Sequence, residues 1–339
     1  MQMTETARML QLVSGFHVSR ALYVAAQLGV ADLVDSGQCT SEQISQTTAT
    51  HAPSLLRVLR VLASVGVFAL DREDRIHMTP LASTLLSRTP NSLRGWALGQ
   101  LGDEHYEAWG ALMDSVRTGG VAFEIVFGKS PWQHRAENAA SAQAFDEGMS
   151  SFLQARSAAV VSAYPFARFR RLVDVAGGDG QLIATLLAAY PTLCGTLFEL
   201  PHVVEKARRR LDEAGLSSRC NVIGGSIFES IPKDADAYVL SRVIHDWSDE
   251  DSRVILRNCR RAASADSTLL LIERVLPEDI DASPLTQALT VSDLNMLVMT
   301  GGRERTAAQY GSLLEATSWR MMRVISTVTE ISLVEAVPI

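Results

Sequence analysis

Apolar positions follow two rhythms along this chain. Through the first half they recur at helical spacing, and through the second they gather in short runs separated by helical stretches. RALYVAAQLGVADLV, beginning at Arg20, sets apolar residues three and four apart, as a helix with one buried face requires. Next, Thr40-Ser-Glu-Gln43 has the spacing of a capping box, in which each end of the motif satisfies a backbone N–H of the other. VFALDREDRIHMTP interrupts the helical pattern with two β-prone pieces around Asp71-Arg-Glu-Asp74, and Thr79-Pro80 then opens a helix with proline at its first position. Helix, helix and small hairpin together predict a winged helix within a mainly helical region of about residues 8–165.

From Leu172 the rhythm changes. RLVDVA, CGTLFEL, CNVIGG, DAYVLSRVI and STLLLIERVL read as strands, spaced by helical stretches such as LIATLLAAY, PHVVEKARRRLDEAG and DEDSRVILRNCRRAAS. That alternation predicts an α/β, Rossmann-like domain with a mostly parallel sheet. The closing WRMMRVISTVTEISLVEAVPI holds two β-prone runs in succession and predicts an antiparallel C-terminal hairpin on the sheet edge. The expected division is a winged-helix domain over 1–100, a helical connector over 101–165 lining a substrate pocket, and the Rossmann-like domain over 166–339.

Composition narrows the function. With 31 Lys and Arg against 38 Asp and Glu, the net charge of −7 argues against a polyanion partner, although a winged helix invites DNA binding with Arg57 and Arg60 as readers. The start MQMTETARML carries no basic stretch followed by an apolar one, and no run approaches the roughly 20 apolar residues of a membrane span. Cys39, Cys194, Cys220 and Cys259 stand far apart, which predicts neither a metal site nor disulfides and fits a cytoplasmic protein.

The chemistry concentrates at strand ends. LVDVAGGDGQL places Asp174 at the end of a strand, followed by Ala176-Gly177-Gly178 and Gly180. The dinucleotide fingerprint G-x-G-x-x-G is absent, and the acid precedes the glycines, which disfavours NAD. The next strand ends in Glu199, where a carboxylate can accept from both hydroxyls of a ribose. Adenosine without a pyrophosphate satisfies both observations. Further on, His245 follows the strand AYVLS, Glu273 ends LLLIE and Glu304 lies in TGGRERT. Two carboxylates near one imidazole orient it and stabilise its protonated form.

The series DVAGGDG, FELP, GGSIFE, LSRVIHDW, IERVLP and GGRERT behind a helical N-terminal region resembles the S-adenosylmethionine-dependent small-molecule O-methyltransferases of the caffeate and hydroxyindole type. Within that family it is most similar to bacterial enzymes that tailor phenazines, mitomycins and anthracyclines. The resemblance implies that Asp174, Gly177, Gly178 and Gly180 form the methionine-side loop, that Glu199 holds the ribose, and that Ser226 and Ile227 flank the adenine with Ser241 nearby. It implies His245 as general base flanked by Glu273 and Glu304, and a homodimer built on the winged helix. Two residues depart from the family pattern. Ala176 replaces the first loop glycine, which is unstrained only at negative φ. Ser226 replaces the usual aspartate at the adenine and loses a charge-assisted acceptor, an effect of about 1 kcal/mol.

A wide apolar acceptor pocket is expected from Phe123, Phe127, Trp132, Phe145, Met149, Phe152, Met296 and Met299, since thioethers adapt to flat ring systems. Asp293 and Asn295 would add polar contacts. A phenol with pKa near 10 needs a base at neutral pH, which a positioned histidine supplies for roughly 10²- to 10⁴-fold in rate. N-methylation, a homologue without methyl transfer, and a ligand-sensing DNA-binding protein remain as other readings.

Overall fold

The computed structural model describes residues 4–89 and 92–339. These fall into two compact units. One runs to Tyr106 and takes in Asn138–Phe152; the other comprises Glu107–Glu137 and Leu153–Ile339.

The first unit is helical with one small hairpin. Helix Glu5–Gln27 starts at Thr4, whose hydroxyl accepts from the Ala7 N–H. Helix Ser41–Thr48 carries the expected capping box from Thr40 and Gln43, both bonds being formed. Helix Ala52–Ser64 follows, and its apolar sequence is used mainly on one side: Leu55, Leu59 and Leu62 are buried, whereas Val61 is exposed. The wing is β1 (Phe68–Leu70) paired antiparallel with β2 (Ile76–Met78). In its turn Asp71 Oδ1 accepts from the Glu73 and Arg75 N–H groups, and Asp74 Oδ2 takes Arg60 at 2.6 Å. Arg60 is thereby drawn onto the wing acid. These elements enclose a core that includes Ala25, Val30, Ile44, Leu59, Phe68 and Ile76. Towards its start, helix Glu5–Gln27 leaves Met9, Leu10, Leu12, Val13 and Phe16 exposed.

In the second unit a seven-stranded sheet is built from β3 (Arg171–Val175), β4 (Cys194–Glu199), β5 (Cys220–Gly224), β6 (Ala237–Ser241) and β7 (Thr268–Glu273), with β8 (Val275–Leu276) and β9 (Arg305–Thr306) forming a separate small pair before the closing strands β10 (Trp319–Ser326) and β11 (Ser332–Pro338). The order is β10-β11-β7-β6-β3-β4-β5. Neighbours from β5 through β7 are parallel, and β11 pairs antiparallel with β7 and β10, as the terminal hairpin predicts. Every residue of β7 is buried, the continuous apolar run of a strand covered on both faces. Leu240, Leu271, Ile255, Trp319 and Val334 belong to the core below the sheet edge. The Trp319 indole N–H donates to the Leu256 carbonyl at 3.1 Å, so this large ring is buried without an orphaned polar atom.

The chain order reverses at β3, which lies between β6 and β4. In open α/β sheets the crevice for a ligand forms at that point, beyond the carboxyl ends of the strands. Asp174, Glu199, Ser241 and Glu273 all stand at or beside such ends, on β3, β4, β6 and β7. Among the described residues no helix is long and apolar enough to cross a membrane.

Candidate active site

At the switch point, residues 176–180 turn β3 into helix Gln181–Ala189. The turn is tight because of what surrounds Asp174. A Cβ added to Gly177 would sit 2.7 Å from Asp174 Oδ2, so any larger residue must displace that carboxylate. Gly180 caps the helix at φ +82°. Ala176 has φ +54°, contrary to the negative value that would leave alanine unstrained; its N–H is held by the Phe198 carbonyl at 2.8 Å, which keeps the residue left-handed. Neither oxygen of the buried Asp174 carboxylate has a full hydrogen bond. Burial and the nearby charge of Glu199 push its pKa up to about 7, against a weaker pull from the Ile183 N–H. Glu199, on the adjacent strand, accepts from the Gly178 N–H at 2.9 Å and from the Leu200 N–H at 2.7 Å, which ties the loop to the end of β4.

Ser226 and Ile227 follow β5. The Ser226 hydroxyl accepts from the Phe228 N–H at 3.3 Å, and Asn258 donates to the Ile227 carbonyl at 2.7 Å, fixing this turn. Ser241 lines a small cleft with Leu182, Arg242, Ile272 and Arg156. The positions read from the sequence along β3, β4, β5 and β6 thus share one edge of the sheet.

His245 sits in a single 3₁₀ turn, Ile244–Asp246, directly beyond β6, and is 2% exposed. Its Nδ1 lies 3.1 Å from Glu304 Oε1 and 3.8 Å from Glu273 Oε2, so the structure brings the three residues together. Glu273 holds the turn rather than the ring: its Oε1 accepts from the Val243 and Ile244 N–H groups at 3.0 and 2.9 Å. On the opposite side of the imidazole, Nε2 is 3.7 Å from Asp246 Oδ1. Burial and the Arg242 charge push the His245 pKa down, but Glu304, Asp246 and Glu273 prevail and raise it. Glu304 resists the upward push of its own burial, because His245, Arg242 and Ser292 favour its ionised form and hold its pKa at about 2.

The GGRERT stretch is the clamp on this turn. The Arg303 N–H donates to the His245 carbonyl at 2.8 Å. Arg305, fully buried, donates to the carbonyls of Ile244 and Trp247, each at 3.0 Å, and pairs with Asp249 at 2.9 Å. Sequence reasoning singled out Glu304 alone here. Nothing in the alternation of Arg303, Glu304 and Arg305 marks the buried clamp, since mixed charges ordinarily belong to a solvated face.

The acceptor candidates divide. Met296 and Met299 are buried on helix Pro284–Met299, and Met299 packs with Phe123, Ala108 and Val298. Asn295 Oδ1 accepts from the Trp109 indole N–H at 3.0 Å, and Asp293 Oδ1 from the Glu304 N–H at 2.8 Å. Trp132 stacks towards Trp247 at 6.3 Å, and Phe228 meets Trp247 edge-on at 4.7 Å. Phe145 and Met149 belong to the first unit, where both are half-buried. Phe152 packs on Trp96 with ring centroids 4.6 Å apart.

Ligand atoms of His245, Glu273 and Glu304 lie within 4.8 Å of one another, close enough to hold an ion. Two guanidinium groups, Arg242 at 3.7 Å and Arg274 at 3.9 Å from Glu304 Oε1, oppose a dication there.

Residues 109–320 match the family model of an O-methyltransferase domain, and residues 10–88 that of an O-methyltransferase dimerisation domain. A phenazine O-methyltransferase of Lysobacter antibioticus is 41% identical over 331 residues, 98% of this chain and 96% of that one. A mitomycin biosynthesis 6-O-methyltransferase of Streptomyces lavendulae is 38% identical over 313 residues, 92% and 88% of the two chains. The crystal structure of an O-methyltransferase from neocarzinostatin biosynthesis, in complex with S-adenosylmethionine and 2-hydroxy-5-methyl naphthoic acid, aligns at a TM-score of 0.82 and 33% identity over 95% of this chain and 96% of that one.

Proposed function

As the chain belongs to the S-adenosylmethionine-dependent O-methyltransferases, we propose that it methylates a phenolic hydroxyl of a polycyclic aromatic acceptor such as a phenazine, with His245 as general base. The observation that carries this reading is the pairing of His245 Nδ1 with Glu304 Oε1 at 3.1 Å, which leaves Nε2 as the nitrogen able to take a proton.

The residues present fit a cationic, adenosine-bearing cofactor. Asp174 is an acid with unsatisfied oxygens pressed against Gly177, and Glu199 stands on the next strand. Asp174, Gly177, Gly178 and Gly180 would hold the methionine side, Glu199 the ribose, and Ser226, Ile227 and Ser241 the adenine side. When bound, S-adenosylmethionine supplies a methyl group on a sulfonium and leaves as S-adenosylhomocysteine. The protein's own part is to orient the acceptor and to accept its proton at His245 Nε2. Glu304 and Glu273 then offset the charge on the ring, and Met296, Met299, Asp293 and Asn295 would select a flat apolar acceptor. The exposed stripe Met9, Leu10, Leu12, Val13 and Phe16 would be covered by a second copy of the chain, making a homodimer. A cytoplasmic setting fits the four free cysteines.

The test is turnover of a panel of hydroxylated and aminated polycyclic aromatics by the protein and by His245→Ala. Methyl transfer to hydroxyls that falls at least about a hundredfold in the variant, most strongly below the acceptor pKa, supports the reading. Activity on hydroxyls that survives the substitution, or methylation of amines alone, overturns it.

A further inference from the structure

Behind Glu304 runs a buried chain of hydrogen bonds whose direction is set by an arginine. Arg274 Nη1 donates to Ser292 Oγ at 2.6 Å, and Ser292 Oγ donates to Glu304 Oε1 at 2.6 Å. A guanidinium has only donors, and a hydroxyl has one hydrogen. Since Ser292 accepts from Arg274, its single hydrogen is committed to Glu304. Ionised Glu304 has only acceptors, so its contact to His245 Nδ1 at 3.1 Å takes the imidazole N–H, and the Ser292 hydrogen on the same Oε1 holds that carboxylate ionised and in place. Neutral His245 then carries its hydrogen on Nδ1 and leaves Nε2 bare.

We propose that Arg274, acting through Ser292, is a positioning residue that holds the Glu304 carboxylate aimed at His245 Nδ1 and so keeps Nε2 bare. The inference rests on the reading of His245 as base, because only a base needs Nε2 free. Among the described residues, the other charged groups around the ring stand farther off. Glu273 Oε2 is 3.8 Å from Nδ1, Arg242 Nη1 is 3.7 Å from Glu304 Oε1, and Asp246 Oδ1 is 3.7 Å from Nε2, all beyond hydrogen-bond range. Arg274 is itself held from behind: its Nη2 donates to Glu330 Oε1 at 3.1 Å, and Glu330 also pairs with Arg156 at 2.6 Å. Asp293, next to Ser292, takes the Glu304 N–H at 2.8 Å, so consecutive residues of one helix hold both the side chain and the backbone of the same glutamate. All four members of the chain, from Arg274 to His245, are buried, so water does not compete for these bonds.

The experiment is nitrogen NMR of the protein labelled at histidine, with the His245 resonances assigned by their loss in His245→Ala, alongside steady-state kinetics. Wild type is expected as the Nδ1–H tautomer. Ser292→Ala removes the committed hydrogen, and Arg274→Gln supplies an amide oxygen that can accept it. Both free the Glu304 carboxylate to turn away from Nδ1, and both are then expected to populate Nε2–H, which faces Asp246 Oδ1 at 3.7 Å, and to lower kcat about ten- to a hundredfold, part of what a positioned base contributes, while KM for S-adenosylmethionine is unchanged. Arg274→Lys, again a donor-only group, is expected to keep Nδ1–H and to restore most of kcat. An Nε2–H tautomer in wild type overturns the proposal, and so does a tautomer that neither Ser292→Ala nor Arg274→Gln alters. A tautomer that shifts without any change in kcat upholds the chain from Arg274 and overturns instead the reading of His245 as base.

Discussion

Gly302 lies flat against His245: a Cβ built on it would stand 2.0 Å from the His245 carbonyl oxygen, nearer than any two such atoms can approach. The second glycine of GGRERT therefore lets the clamp reach the turn, and Gly302→Ala must push the two backbones apart. A displacement of about 1 Å at a reacting group costs on the order of 10² in rate. Gly302→Ala is expected to lose about that factor in kcat, while calorimetry finds S-adenosylmethionine bound as in wild type, because the loop after β3 is held by separate contacts to β4.

The pH profile follows from the charges around the imidazole. Burial and Arg242 lower the His245 pKa, and Glu304, Asp246 and Glu273 outweigh them, so it lies above the ordinary 6.5. A base works only when neutral, so kcat is expected to rise with pH along a limb centred above 6.5. Glu304→Gln removes the first of the raising charges while burial and Arg242 remain, and the limb moves to lower pH. Stability gives the second readout. The raised His245 pKa stabilises the fold fully below 6.5 and is lost as pH climbs through the raised value, whereas the Glu304 contribution is present above 4.5 and lost only as pH falls towards 2. Denaturation should show the largest advantage of wild type over Glu304→Gln between 4.5 and 6.5, where both contribute.

Which parts of this were legible in the sequence follows from what each residue has to do alone. Asp174, Glu199, His245 and Glu273 stand at strand ends, and a strand end announces itself by the change from apolar run to glycine or charge. Ser292 and Arg274 carry no such mark. A serine in the middle of an apolar helix and an arginine one residue past a strand gain meaning only when a sheet brings them to Glu304. Backbone sign was partly hidden: Ala176 stands where the family has a glycine, but nothing in Arg242 announces the φ of +59° that its turn imposes.

Ala176 yields a prediction of its own. Left-handed φ costs an L-residue with a Cβ about 1–2 kcal/mol, and glycine returns part of that gain through its freer unfolded chain. Ala176→Gly is expected to raise unfolding free energy by roughly 0.5–1 kcal/mol in denaturant titration, with m unchanged. A loss of stability would mean that the Cβ makes packing contacts that outweigh the strain.

The exposed side chains of helix Glu5–Gln27 bear on assembly. Met9, Leu10, Leu12, Val13 and Phe16 are each more than half exposed, and burying such a side chain is worth about 1.5–3 kcal/mol. Leu12→Glu places a charge in the middle of that stripe. Sedimentation is expected to find wild type as a dimer and the variant shifted to monomer; identical profiles for the two would show that this face is not the interface.

Asp174 is where stability and cofactor binding pull in opposite directions. Its carboxyl is buried without a full hydrogen bond, and its pKa rises from 3.8 to about 7. A raised acid pKa means that the folded protein favours the protonated form, so the destabilisation is absent below 3.8 and grows as pH rises towards 7. The gap corresponds to about 4 kcal/mol once the group is fully ionised. Asp174→Asn removes the charge and keeps the shape. The unliganded variant is therefore expected to melt above wild type at pH values beyond 7 and to converge with it as the acid protonates. Its affinity for S-adenosylmethionine should nevertheless fall, because the carboxylate that strains the empty fold is the one that a cationic ligand would neutralise. A variant that gains stability and retains affinity would leave Asp174 as a purely structural acid, and one that loses both would show that the charge is satisfied even without a ligand.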